Sequence, residues 1–385
     1  MKEIGSLRTA LAGMAGMAVA MGFGRFVYTP ILPGMMEGLA LTPADAGLIA
    51  AANFLGYLVG AVAAGASWLA SRERPALVTA MIGTAVLAAT MAISNHVGIL
   101  LAVRFLAGVA SAFALVLLSG IVLAQLAGRG RAELAALHFG GVGFGIAVSS
   151  LLILALNRYD IGWRGDWLWT AGLALLCAVG ALILLGPSGP ADRAAVAEPR
   201  LPGTSHLRHL ILSYGLFGFG YVVTATFVVA IARDAGVSRD GEVGVWLIAG
   251  VAAAPSVWLW DRLAKRIGDL TTLAIACGVE SLGVGASVLF GGIAGPLIGA
   301  LLVGGTFVAA TALGLRAARR MAPDAPRRAI AAMTAAFGVG QICGPLVAGL
   351  LAQAAGNYRL ASLMAAAALL LSAVLALRSR SPGQP

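Results

Sequence analysis

Within the long apolar stretches of this chain stand only three strongly ionisable side chains, Arg25, Arg104 and Glu280. A charge in a hydrocarbon layer is costly, so each is a candidate for binding or coupling. Arg25 lies eight residues before Pro33, Asn53 eight after Asp45 and Arg104 seven after Val97. At a rise of ~1.5 Å per residue these positions lie about 12, 12 and 10 Å below one surface of a helical bundle. Two guanidinium groups and an amide at one depth, with no acid in that half's apolar region, call for an anion or water. A carboxylate fits, because guanidinium binds it through a planar fork and does not deprotonate. The alternative is that each arginine snorkels or bonds main-chain carbonyls and stabilises an outer gate.

Further polar side chains belong with these. Tyr28 follows Arg25 by three and Tyr57 follows Asn53 by four, so each shares a helix face with its partner. Tyr221 holds the place equivalent to Arg25 in the second half, and Gln341 falls near mid-depth of its own stretch. These four are expected to line a cavity, with aromatic packing as the other role for the tyrosines. Glu280, ten residues into its stretch and about 15 Å deep, is a proton-coupling candidate, against a hydrogen-bonded structural role. His138, five residues past Glu133, is expected to be a solvated helix-end histidine rather than a proton relay.

The elements that position these residues follow from composition. Hydrophobic residues make up 60% of the 385 and charged residues 11%, far from the balance of a soluble domain. The apolar runs are long and unbroken, which selects helices over barrel strands. Twelve spans are expected, at about 8–33, 45–70, 76–94, 98–126, 135–156, 167–185, 209–232, 243–261, 270–290, 296–316, 329–354 and 360–377. Residues 1–22 have the shape of a signal peptide, but the apolar run continues to Pro33 and has a counterpart in the second half, so it reads as the first span. The Pro-, Gly- and Ala-rich interval 186–208 reads as a cytoplasmic linker between six-helix bundles at 1–185 and 209–385, and 379–385 as a frayed tail. Pro255 and Pro345 are candidate kinks.

Net charge is +10, yet the basic residues form small clusters between spans, which argues against a nucleic-acid partner. With both termini inside, 19 of the 26 basic residues face inward and five outward, as the positive-inside rule requires. Trp68, Trp258 and Trp260 then fall at inner span ends and Trp163, Trp167, Trp169 and Trp246 at outer ends, forming interfacial belts. Cys177, Cys277 and Cys343 lie within spans, so no disulfide framework is expected.

The halves repeat. Gly22-Phe23-Gly24-Arg25 is echoed by Gly218-Phe219-Gly220-Tyr221 at an offset of 196. Asp45-Ala46-Gly47 is echoed by Glu242-Val243-Gly244, Gly108 by Gly305, and Gly141-Val142-Gly143 by Gly338-Val339-Gly340, each at 197. A duplicated membrane bundle is the signature of a secondary transporter with its site near the midplane. Pairs such as Gly56 and Gly60 read as close helix contacts rather than ligand sites.

Several motifs add a family resemblance. Arg104-Phe105-Leu106-Ala107-Gly108 and Leu263-Ala264-Lys265-Arg266-Ile267-Gly268 are similar to motifs of the major facilitator superfamily, the latter with Lys265 where an Asp is usual. The loop Leu69-Ala70-Ser71-Arg72-Glu73-Arg74 lacks both the acid and the glycine of that motif. Three further segments resemble the YbfB/YjiJ group of bacterial transporters: residues 24–33 (GRFVYTPILP), 51–57 (AANFLGY) and 340–345 (GQICGP). The resemblance implies an all-α fold of two parallel six-helix repeats and a transport role, without fixing the cargo. Residues 140–145 lack the Gly-Pro of the superfamily's antiporter motif, so antiport does not follow.

No phosphate-binding loop, metal-ligand cluster or acid–nucleophile pair stands out, so no enzyme, cofactor or ATP-driven step is expected. The expectation is a monomeric, multi-pass inner-membrane protein that moves a small organic solute, a carboxylate or other anion, by alternating access coupled to an ion, foremost the proton. The competing readings are efflux of hydrophobic or drug-like compounds and a non-transporting receptor or assembly protein.

Overall fold

The computed structural model describes residues 2–66, 69, 72–186 and 198–380. The first pass is composite: α1 (Lys2–Met17), a π-helical segment (Ala18–Phe26) and α2 (Tyr28–Leu39). The next five are α3 (Pro43–Ala64), α4 (Glu73–Ile93), α5 (Val97–Gly128), α6 (Ala135–Asn157) and α7 (Gly162–Leu185). The second half holds α8 (Ser205–Asp234), α9 (Arg239–Ala253), α10 (Ser256–Ile267), α11 (Asp269–Leu289), α12 (Ala294–Met321), α13 (Pro326–Ala355) and α14 (Arg359–Arg378). Among the described residues eleven passes are long and apolar enough to cross a bilayer singly, and the bent pair α9–α10, taken as one span, makes a twelfth.

Local chemistry sets the ends. Thr204 and Ser238 accept the main-chain N–H groups of Leu207 and Gly241, capping α8 and α9. Gly268, at φ +83°, turns the chain from α10 into α11 in a conformation that side chains disfavour. The eighth pass is not continuous over 243–261: it bends by 44° beside Pro255. Pro345, by contrast, lies inside an unbroken α13. The second helix stops at Ala64, short of the expected 70. Trp68, part of the loop 69–74, residues 187–197 of the linker with Arg193, and 381–385 of the tail lie outside the described residues.

Main-chain proximity divides the chain into two units, 1–40 with 52–195 and 41–51 with 196–385. The repeat seen in the sequence recurs in the packing of each. In unit 1 α6 packs on α1 and α7 on α4; in unit 2 α13 packs on α8 and α14 on α11. Glycines make the tightest of these contacts. Gly141 and Gly145 of α6 lie on the backbone of Met14 and Ala18, and Gly340 of α13 lies on that of Gly215. In unit 1 Gly56 meets the carbonyl of Phe105 and Gly108 that of Asn53, holding α3 against α5. Such approach gives dispersion contacts that lipid cannot replace.

Two expectations need correction. His138 is fully buried, between α1 and α5, where its Nε2 lies 2.9 Å from Ser119 Oγ. It is not a solvated helix end, because the glycine-lined seam between α1 and α6 admits its ring at Gly13. Trp163, Trp167 and Trp246 are likewise buried in helix packing, whereas Trp169 and Trp258 turn outward. The three cysteines are free.

Candidate functional site

The site in unit 1 begins with the main chain of the first pass. Over Ala18–Phe26 the helix widens to π register, and Val27 N–H bonds Gly22 O at 2.9 Å. Two prolines lie just beyond. Pro30 has no N–H to return to the carbonyls of Phe26 or Arg25, so this turn carries acceptors its own helix does not serve. Arg104, on α5, supplies donors: its Nη1 donates to Gly24 O and its Nη2 to Arg25 O, each at 3.2 Å. Its Cζ also sits 4.8 Å from the Tyr28 ring centre. Asn53, on α3, closes the arrangement by donating from Nδ2 to Arg104 O at 2.9 Å.

Arg25 is 4% exposed. Its guanidinium lies over Tyr57 at 4.0 Å, over Phe54 at 4.6 Å and near Phe26 at 5.9 Å. Ring faces stabilise a cation held away from water. The Arg25 and Arg104 charges are close enough to repel, and no acid occurs between Glu3 and Glu37, Asp45 and Glu73, or Glu73 and Glu133. On the first pass the acids Glu3 and Glu37 stand near the two ends, and α5 carries none. Two buried polar atoms here, Arg104 Nε and Asn53 Oδ1, have no hydrogen-bond partner among the described residues. The unit thus brings together Arg25, Tyr28, Asn53, Tyr57 and Arg104, one open donor and one open acceptor included.

Unit 2 brings together Tyr221 and Gln341. Gln341 Nε2 donates to Tyr221 Oη, and Gln341 Oε1 is buried without a partner among the described residues. The Tyr221 ring stacks within 8° of parallel on both Phe307 and Phe337, with centres 5.6 and 5.7 Å away. Phe217 and Tyr214 extend the stack. Glu280 stands apart on α11, fully buried, with Thr306 of α12 as its polar neighbour. The Thr306 hydroxyl is donated to Leu302 O, and neither Glu280 oxygen has a well-formed hydrogen bond among the described residues. Thr306 and Phe307 are consecutive, about 100° apart round α12, so Glu280 and the Tyr221 stack touch different sides of that helix.

Sequence reasoning missed Phe54, Phe26, Phe307 and Phe337. The available signal for Phe54 was its place beside Asn53; the others look like ordinary apolar residues of their spans. Among the described residues no cluster of His, Cys, Asp and Glu fits a metal ion.

Comparison with known proteins adds a family and a fold. The sequence family described as "Uncharacterised MFS-type transporter YbfB" matches residues 17–377. The chain is 27% identical over 343 residues to a chloramphenicol resistance protein of Streptomyces lividans, covering 86% of this chain and 85% of that protein. Its fold is similar to the crystal structure of the nucleoside transporter NupG, with a TM-score of 0.71, 16% identity and coverage of 97% of this chain and 98% of that one. A mutant form of NupG aligns with a TM-score of 0.74 at 14% identity, over 98% and 100% of the two chains.

Proposed function

For this chain, which belongs to the family of YbfB-type MFS transporters, we propose a cargo: a small organic anion, foremost a carboxylate, held at Arg25. The chain is a multi-pass secondary transporter of the superfamily. The observation that carries the anion reading is the pair of buried cations in unit 1, Arg25 over ring faces and Arg104 with an open Nε donor, with no acid on α5 and only Glu3 and Glu37, near the ends, on the first pass. An anion would relieve their repulsion, and a carboxylate would accept from guanidinium N–H groups. In this reading Arg25 binds the charge, Arg104 positions the backbone that carries it, and Asn53, Tyr28 and Tyr57 complete the lining. Tyr221 and Gln341 are the substrate-binding candidates of unit 2, and Glu280 carries the coupling proton.

The same reading places two six-helix bundles, 1–185 and 209–385, about a cytoplasmic linker, with both termini inside a bacterial inner membrane and the chain working as a monomer. Cysteine labelling at Arg193 and Arg239 checks the orientation: opposite sides are expected, and labelling from one side only contradicts it. For the cargo, purified protein in proteoliposomes is offered carboxylates, sugars and hydrophobic amines. Anion flux that collapses with the proton gradient supports the proposal; flux of uncharged compounds alone overturns it.

A second reading has its own support. The relative named for chloramphenicol resistance and the stacked rings around Tyr221 favour efflux of a drug-like compound. Outward flux of such a compound, unaffected by Arg25→Lys, would select it.

A further inference from the structure

At the end of unit 2 where α10 stops and α11 begins, one helix face changes from apolar to basic along its length. Pro255, Trp258, Leu259, Arg262, Lys265 and Arg266 are all exposed. Their spacings of three and four place them in a single stripe, and Trp258 to Arg266 covers about 12 Å. The opposite face is anchored: Trp260 Nε1 donates to Gly305 O at 2.7 Å, and Ala264 is buried. The stripe is therefore what α10 leaves uncovered after it bends away from α9.

The charges of this end do not balance. Its acids are already engaged, Asp261 by Arg316 and Lys265, and Asp269 by Arg316 and Arg320. Arg262, Arg266 and Arg319 have no carboxylate partner among the described residues. The Arg262 guanidinium instead lies 3.6 Å from the Trp258 ring centre, which holds its fork beside the indole.

We propose that the α10 stripe binds an anionic glycerophospholipid, its phosphate on Arg262 and Arg266 and its acyl chain along Trp258, Leu259 and Pro255. Charge complementarity selects the headgroup, since guanidinium groups without carboxylates take phosphate oxygens readily. The polarity gradient selects a lipid over a soluble anion. Indole favours the level between hydrocarbon and headgroup, and a basic residue one or two turns further reaches the phosphate. An acidic protein would satisfy the arginines but leave the Trp258–Leu259 end unmatched.

The full chain, purified in a mild detergent, is mixed with phosphatidylglycerol or phosphatidylcholine, and retained lipid is counted by native mass spectrometry. Phosphatidylglycerol should be retained in preference, and Arg262→Gln and Arg266→Gln should each weaken retention about fivefold. Arg359→Gln, at the other end of unit 2, should leave it unchanged. Arg266 is exposed and, unlike Arg262, is not stacked on Trp258, so its variant keeps the fold even where Arg262→Gln does not. Trp258→Ala should weaken retention of the lipid without altering any effect of inorganic phosphate. Equal retention of the two lipids, undiminished phosphatidylglycerol on Arg266→Gln, or displacement of the lipid by millimolar inorganic phosphate overturns the proposal.

Discussion

The guanidinium of Arg104 is bonded to the main chain of Arg25: Nη2 donates to Arg25 O and Nη1 to Gly24 O, both at 3.2 Å. One buried cation thus fixes the backbone on which the other is mounted. The Arg25 side chain faces another way, onto Tyr57 and Phe54. The two arginines share a layer but not a role, and substitution should separate them.

Arg104→Lys keeps a positive charge but loses the fork that spans two carbonyls. It should lower thermal stability by roughly 1–2 kcal/mol and weaken transport with it. Arg25→Lys removes the planar group that stacks on Tyr57 and leaves the Arg104 bonds to Gly24 O and Arg25 O in place, so it should weaken anion binding with a smaller change in melting temperature than Arg104→Lys. Paired thermal unfolding and binding measurements check both; equal loss of stability in the two variants contradicts the division.

Gly108 tests how the layer is built. A Cβ there would press on the carbonyl of Asn53 and the N–H of Tyr57, both backbone atoms that cannot yield. Gly108→Ala should push α3 from α5, cost about 1–3 kcal/mol and impair anion binding by displacing Asn53 and Tyr57 together. Gly83→Ala on α4 meets nothing within 4 Å and should be neutral or slightly stabilising. Thermal unfolding of both variants decides it.

The membrane class and the duplication were legible because they rest on length and on glycine spacing, which survive without coordinates. Depth counting brought Arg25, Asn53 and Arg104 into one layer because rise per residue is nearly constant along a helix. It could not say where a fork points. The π segment was hidden, since nothing in residues 18–26 marks a wider turn; Pro30 and Pro33 were the only hints of unserved carbonyls. His138 was misplaced by counting from Glu133, because burial depends on which neighbour covers a helix end, and the cover here is α1. The grouping of 41–51 with unit 2 likewise depends on partners remote in the chain.

Tyr221 and Gln341 form a pair whose loss is asymmetric. Tyr221→Phe keeps the stack on Phe307 and Phe337 but leaves the Gln341 amide without its acceptor, at a cost of about 1–3 kcal/mol. Adding Gln341→Leu to that variant should restore much of the stability, because both polar ends are then gone. Tyr221→Phe should affect uncharged, ring-bearing cargo more than a short carboxylate such as acetate. Thermal unfolding and flux of the two cargo types measure these effects; a double variant less stable than the sum of its parts contradicts the pairing.

Glu280 offers the sharpest separation of coupling from architecture. Thr306 donates its hydroxyl to Leu302 O at 2.6 Å, and in that rotamer its oxygen is an acceptor toward Glu280. A carboxylic acid O–H or a glutamine amide could donate to it, whereas a carboxylate could not. Glu280→Gln therefore mimics the proton-loaded side chain and should fold as well as the parent. If Glu280 carries the coupling proton, this variant keeps cargo exchange across proteoliposomes, which needs no net proton movement, and loses accumulation driven by a pH gradient. A purely structural glutamate predicts gradient-driven accumulation equal to the parent's in Glu280→Gln, and that result would remove Glu280 from the coupling mechanism. Thr306→Val tests the acceptor from the other side. It leaves the carboxyl in place but takes away the oxygen able to accept its O–H hydrogen bond, so a coupling role predicts a shifted pH dependence of accumulation with exchange again intact.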